Sequence, residues 1–459
     1  MPLDPQPSPQ AWRPATTLLS LGDAFYDPVE AADFPQTTLR FRNDRAAAQV
    51  GLAHLDDAEW IDHFGRFQPL PGTLPQPLAL RYHGHQFRNY NPEVGDGRGF
   101  TFAQMYDDRG RLMDLGTKGS GTTPWSRFGD GRLTLKGGVR EVLASEMLEA
   151  LGVTSSRSFS LIETGEALER GDEPSPTRSA VLVRLSHGHI RIGTFQRLAY
   201  LRDDANLRRL TSYTLEHLYG EASDDPIRLL DHVVVRTAKL AARYMAAGFV
   251  HGVLNTDNIN VTGESFDYGP WRFAPTWDPT FTAAYFDHAG LYAFARQPEA
   301  IHWNAMQLAV SLRSIADSDA LIASLGAFAV HYQREVAAAI LWRMGLAPGD
   351  TDTDRTLVTA VEKALRTTGA SIDRLFHDVF GGRLTDTYSA EWDEVRAALA
   401  THLPRADRSH PYWQGEPCSM LIDEVEAIWA GIAADDDWSA FHAKVAQIRD
   451  FGRALDSDG

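Results

Sequence analysis

Apolar and polar positions change rhythm twice along this 459-residue chain. Up to residue 79, prolines break most apolar runs, and Pro69, Pro71, Pro75 and Pro77 close the segment. Residues 1–79 are therefore predicted to form an extension holding a short acidic helix over 56–64. Between 80 and 200 the texture becomes short β-like runs separated by glycine turns, at 99–106, 112–117, 159–163, 180–185 and 190–196. One helical stretch interrupts them: Val139, Val142, Leu143, Met147, Leu148 and Leu151 recur at helical spacing. From 201 to 459 the pattern is mostly helical, most clearly over 226–247, where Pro226 opens the run and Gly248 follows it. The expected class is α+β in two lobes: a strand-rich N-lobe over 80–200 with one inserted helix, and a mainly helical C-lobe over 201–459. A cofactor is expected between the lobes.

Composition narrows the function classes. Hydrophobic residues make up 43% of the chain, enough for sizeable cores. The net charge of -17 argues against a general nucleic-acid or anionic-membrane binder, so any phosphate ligand must be met by a local cluster of cations. Cys418 is the single cysteine, which leaves no intramolecular disulfide and no cysteine-ligated zinc site. Residues 1–14 have no apolar signal core, and no apolar run reaches about 18 residues. A cytoplasmic protein that does not span a membrane is expected.

Four constellations could carry chemistry. Gly95-Asp96-Gly97-Arg98 precedes a predicted strand; glycines there would let backbone N–H groups approach a polyphosphate, although such a turn is also a common hairpin. No Gly-Lys-Ser/Thr follows, which excludes a Walker A loop. Lys118 ends the next predicted strand, where kinase-like folds place a phosphate-holding lysine paired to a glutamate on the following helix. That helix offers Glu141, the expected partner, and Glu146 as second choice. A hairpin turning at His187-Gly188 would set Arg184 opposite Arg191; like charges so placed are relieved by an anion between them, unless both side chains point into water. Finally, His251-Gly252-Val253-Leu254-Asn255-Thr256-Asp257-Asn258 follows the long helix, with Asp267-Tyr268-Gly269 after it. His251 and Asn258 keep the spacing of a kinase catalytic loop, and Asp267-Tyr268-Gly269 can stand for the metal-binding Asp-Phe-Gly. The position of the usual base is Val253, which cannot accept a proton; Asp257 is the nearest carboxylate that could. The pairs His83/His85 and His187/His189 are read as hydrogen-bonding or turn residues rather than metal ligands.

These elements, in this order, resemble the selenoprotein O family of kinase-like proteins that transfer AMP. The matching stretches include Tyr82-His83-Gly84-His85-Gln86-Phe87, Lys118-Gly119-Ser120-Gly121-Thr122-Thr123-Pro124-Trp125-Ser126-Arg127 and Gly129-Asp130-Gly131-Arg132. Ser186-His187-Gly188-His189-Ile190-Arg191, the block around His251, Trp277-Asp278-Pro279, Gln297-Pro298 and Trp303-Asn304 extend the match over about residues 35–310. The resemblance implies a protein-kinase-like fold. It implies nucleotide contacts from Gly95, Gly97, Arg98, Lys118, Asp130, Gly131, Arg184 and Arg191, with Asp257 as catalytic base and Asn258 and Asp267 as ligands of Mg²⁺ or Mn²⁺. It further implies ATP bound in reversed orientation and AMP, in some members UMP, moved to Ser, Thr or Tyr hydroxyls of partner proteins. A γ-phosphate kinase or a non-catalytic ATP-binding module is the alternative. The chain departs from the family in two places. No Asn-Pro-Lys or Leu-Arg-Asn stretch is recognisable near the C-terminus, and the redox cysteine pair or selenocysteine of some relatives is missing.

Overall fold

The computed structural model describes residues 11–127, 129–171 and 174–456. Its centre is a nine-stranded antiparallel sheet. In spatial order the main path runs Tyr26–Pro28, Leu78–Leu80, Thr101–Tyr106, Leu112–Lys118, Thr177–Ser186, Arg157–Leu168 and Thr38–Arg42, and two short strands attach to its sides. Leu78–Leu80 straddles the expected boundary at 79, and three more strands of the same sheet come from before it.

Strand alternation explains both faces. Val181, Val183 and Leu185 turn to one side with Met113 and Leu115, where Trp60 and Phe64 of the Asp57–Phe64 helix cover them. Ala180, Leu182 and Leu112 turn to the other, against Val139, Val142, Leu143 and Met147 of the Leu135–Ala150 helix. Because both faces are covered, the Leu112–Lys118 strand is buried along its whole length. By the same parity Lys118 and Arg184 belong to the face covered by the Leu135–Ala150 helix; the register pairs Leu182 with Lys118 and Arg184 with Gly116.

The Pro226–Ala247 helix is as expected, capped by the Asp225 side chain on Ile227 N (2.8 Å). The hairpin expected at His187-Gly188 does not form. After the Thr177–Ser186 strand the chain leaves the sheet: Val261 N donates to Ile190 O and Ile192 N to Ile259 O, each at 3.0 Å. The Ile192–Tyr200 helix then begins, burying Ile192, Phe195 and Leu198. The alternation over 190–196 that suggested a strand is thus outweighed by a helical stripe with a place to be buried. Most of the remaining chain is helical, ending with Ile422–Asp435 and Ser439–Asp456, and no described helix is long and apolar enough to cross a membrane.

Candidate active site

A cavity of about 570 Å³ opens between the sheet with its Leu135–Ala150 helix and the turns that follow Pro226–Ala247. Ten of the twelve sequence-predicted site residues line it: Gly95, Gly97, Arg98, Lys118, Asp130, Arg184, Arg191, Asp257, Asn258 and Asp267. The other two stand behind it. Glu141 accepts from Lys118 Nζ in a buried ion pair, and Gly131 accepts from Gly121 N at 3.1 Å within the adjoining loop.

The glycine turn is shaped by its neighbours. A Cβ at Gly95 would come within 2.5 Å of the Trp125 ring, and one at Gly97 within 2.5 Å of the Trp125 carbonyl oxygen. Ser126 Oγ donates to Gly97 O (2.6 Å) and Thr123 Oγ1 to Asp96 O (2.8 Å), so residues 122–127 hold the turn from behind. Trp125 is itself anchored on Asp27 (2.9 Å), far back in the chain. Arg98 projects into solvent, 65% exposed, and lies 3.5 Å from Asp130.

The turn carrying Asp257 is braced on all sides. Thr256 Oγ1 donates to Gln196 Oε1 (2.6 Å) and accepts from His85 N (2.6 Å), while Gln196 Nε2 donates to His85 Nδ1 (2.7 Å). Asn255 Oδ1 accepts from Phe87 N (3.0 Å) and the Tyr292 hydroxyl (2.7 Å). Asn304 Nδ2 donates to Leu254 O (2.8 Å), and Gln297 joins Phe249 O to His251 N. His251 Nε2 donates to Phe266 O (2.9 Å), which ties this turn to the one bearing Asp267. The histidine pairs are engaged in the same way: His83 Nδ1 meets the Tyr90 hydroxyl (2.7 Å), His187 lies between the Leu112 and Leu218 carbonyls, and His189 faces Asp114.

Asp257 is only 7% exposed, and its Oδ1 has no hydrogen-bond partner among the described residues. Gly84 packs so closely that a Cβ there would meet that oxygen at 2.5 Å. Burial pushes the Asp257 carboxyl up to about 6, with the charge of Asp267 adding to the rise and Arg191 opposing it. Asp267 has the reverse environment. Burial works against its charge, but Arg184, Arg191 and Lys118 outweigh burial and hold the carboxyl well below the ordinary carboxylate range. Arg184 Nη1 donates to one oxygen and Arg191 Nη1 to the other (2.7 Å), so the two arginines meet on Asp267 rather than across a hairpin. Arg191 also donates to Asp257 O (2.7 Å), and its guanidinium lies over the rings of Tyr82 and Phe266. Asp267 adopts a left-handed backbone (φ 60°), an uncommon conformation for a residue with a side chain.

Asn258, which lines the cavity, donates from Nδ2 to Val253 O (2.9 Å). Asn258 and Asp267 bring amide and carboxylate oxygens to the cavity lining, the donor types that Mg²⁺ or Mn²⁺ takes, and Asp257, whose Oδ1 has no partner among the described residues, adjoins Asn258. Among the lining residues to which the sequence reading gives no site role are Lys136, Arg140, Arg272 and Glu426. Lys136 and Arg140 are four apart on one helix, a spacing that puts them on one face and could have flagged them. Nothing local to Glu426, on the distant Ile422–Asp435 helix, marks it.

The chain has counterparts among known proteins. The sequence model of one family, protein adenylyltransferase SelO, matches residues 11–414. The chain is 43% identical to a protein nucleotidyltransferase YdiU of Gloeobacter violaceus, covering 94% of this chain and 93% of the relative. It is 42% identical to one of the same name from Synechocystis sp., covering 94% and 97%.

Proposed function

The chain belongs to the protein adenylyltransferase SelO family, and we propose that it is itself a protein adenylyltransferase, moving AMP from ATP to Ser, Thr or Tyr hydroxyls and releasing pyrophosphate. In this reading the fold is kinase-like and two-lobed. The Lys118–Glu141 pair joins strand to helix in the first lobe, and the turns bearing Asp257, Asn258 and Asp267 belong to the second. The lone buried Cys418 suits a cytoplasmic setting.

One observation carries the reading: a buried carboxylate with an unpartnered oxygen, Asp257, stands in the cavity that Val253 also lines. Asp257 takes the proton of the acceptor hydroxyl as that oxygen bonds to the α-phosphorus; the bond from the α-phosphorus to the oxygen bridging to the β-phosphate breaks, and pyrophosphate leaves with that electron pair. Lys118, Arg184 and Arg191 supply the positive charge around the departing group, with Gly95, Gly97, Arg98, Asp130 and Gly131 framing the rest of the nucleotide. Arg184 and Arg191 are held rigidly on Asp267, so their charge is pre-oriented. Asn258 and Asp267 would hold Mg²⁺ or Mn²⁺, which supplies further neutralisation of phosphate charge when bound.

The test is label transfer. Label from α-³²P-ATP should appear on acceptor protein, and the modified peptide should gain the mass of AMP. Label from γ-³²P-ATP on protein, with none from the α-position, would establish a kinase instead. Neither label moving while ATP still raises the melting temperature would leave a binding module.

A further inference from the structure

Two groups among the cations that line the cavity differ in how they are neutralised. The inner group, Arg184 and Arg191, is closed on Asp267. The outer group is Lys136, Arg140 and Arg272, and among the described residues the carboxylate lining the cavity that pairs with it is Glu426, which reaches in from the Ile422–Asp435 helix. Glu426 accepts from Lys136 Nζ at 2.6 Å but lies 3.9 Å from Arg140 Nη1. Arg272 donates only to the carbonyls of Pro270 (3.2 Å) and Trp271 (3.0 Å), and among the described residues it makes no ion pair. Three cations thus face one carboxylate, which is 44% exposed and held by a long side chain.

We propose that Lys136, Arg140 and Arg272 form an anion subsite for a carboxylate-bearing stretch of the acceptor protein, which Glu426 occupies in the free chain. This rests on the transferase reading above and names the acceptor class for it. The phosphates of ATP have their own cations in Lys118, Arg184 and Arg191, so the outer group is left for a second anion. Glu426 demonstrates that a carboxylate on a flexible stem fits there. In a chain of net charge -17, a surplus of positive charge lining part of the cavity is also where an acidic segment would be drawn. Burial and the neighbouring Arg272 lower the Arg140 guanidinium to about 10, as expected where positive charge is under-compensated. Tyr285 and Phe286, residues 80% and 42% exposed, line the same cavity and give the flanking residues of such a segment an aromatic surface.

The experiment uses the full chain and two fluorescein-labelled peptides, each with one serine, flanked by glutamates in one and by lysines in the other. Fluorescence anisotropy without nucleotide should show binding of the glutamate peptide only. Glu426→Gln should bind it about fivefold tighter, and Lys136→Ala and Arg272→Ala should each bind it about fivefold more weakly, the size of one partly exposed charge contact. The rise in melting temperature given by ATP with Mg²⁺ should be the same in all three variants and the parent. No preference between peptides, or unchanged binding in Arg272→Ala, would overturn the proposal. Loss of the ATP effect in Lys136→Ala or Arg272→Ala would assign the cluster to the nucleotide and overturn it equally. Failure of α-label transfer strikes the transferase reading alone and leaves the anisotropy result standing.

Discussion

Asp257 and Asp267 stand ten residues apart on two turns that line one cavity, yet their surroundings pull them in opposite directions. The first turn is braced by uncharged partners such as Gln196, Tyr292 and Asn304, and leaves Asp257 Oδ1 without a partner among the described residues. The second closes on two guanidinium groups. Burial is common to both, so the difference comes from where the cations lie. A carboxylate with a raised affinity for protons can collect one, and a carboxylate clamped by arginines can only hold charge; separating the two lets one site do both.

Breaking the clamped side should have the largest effect. Asp267→Ala removes the counter-charge from two buried arginines and should cost about 3–5 kcal/mol of stability, read by urea unfolding. It should also abolish the ATP-dependent rise in melting temperature with metal present. A variant that loses neither would show that Asp267 is not what holds Arg184 and Arg191.

Breaking the other side should leave binding intact. Asp257→Asn should lower α-label transfer by roughly 10²- to 10⁴-fold, while the melting-temperature rise with ATP stays close to that of the parent. Full transfer in this variant would remove Asp257 from the role of base.

The comparison can be sharpened by pH in metal-free, nucleotide-free protein. The Asp257 carboxyl is pushed from 3.8 up to about 6 by burial, so the folded state binds its proton more tightly than the unfolded state does. Its contribution is therefore fully present below about pH 4 and is lost as the pH rises through about 6. Over that window the parent should lose about 3 kcal/mol relative to Asp257→Asn, which has no such proton, and the difference should then level off. Urea midpoints at pH 4, 5, 6 and 7 in a chelator check the sign. A parent that gains on the variant as pH rises contradicts it.

The smallest contrast lies on the Leu135–Ala150 helix, where Glu141 meets Lys118 and Glu146 meets Arg449 (2.6 and 2.8 Å) and Arg45 (3.1 Å). Glu141→Gln should weaken ATP binding about tenfold by loosening Lys118. Glu146→Gln should leave ATP binding within about twofold and show itself as a modest loss of stability from the Ser439–Asp456 contact. ATP titrations followed by melting temperature separate the two.

Much of this was legible along the chain. The Pro226–Ala247 helix, the Thr101–Tyr106 and Leu112–Lys118 strands, and the Asp57–Phe64 helix follow from periodicity and punctuation, because each is a local pattern with one good way to be buried. The spacing of His251, Asn258 and Asp267 pointed to one site because catalytic turns keep short fixed intervals. The alternation over 190–196 is compatible with a strand, and only the competing pairing with residues 259–261 makes the segment a helix start.

What the sequence determined by itself is therefore chemistry and local form: which residue types are present, their spacing, and the absence of a base at Val253. What only the tertiary structure decided is charge state and company. It chose Glu141 over Glu146 for Lys118, turned Arg184 and Arg191 onto one carboxylate, left Asp257 Oδ1 without a partner among the described residues, and brought Glu426 to cations nearly 300 residues earlier in the chain. Electrostatic environment depends on distance and burial in three dimensions, and neither can be read from separation along a chain.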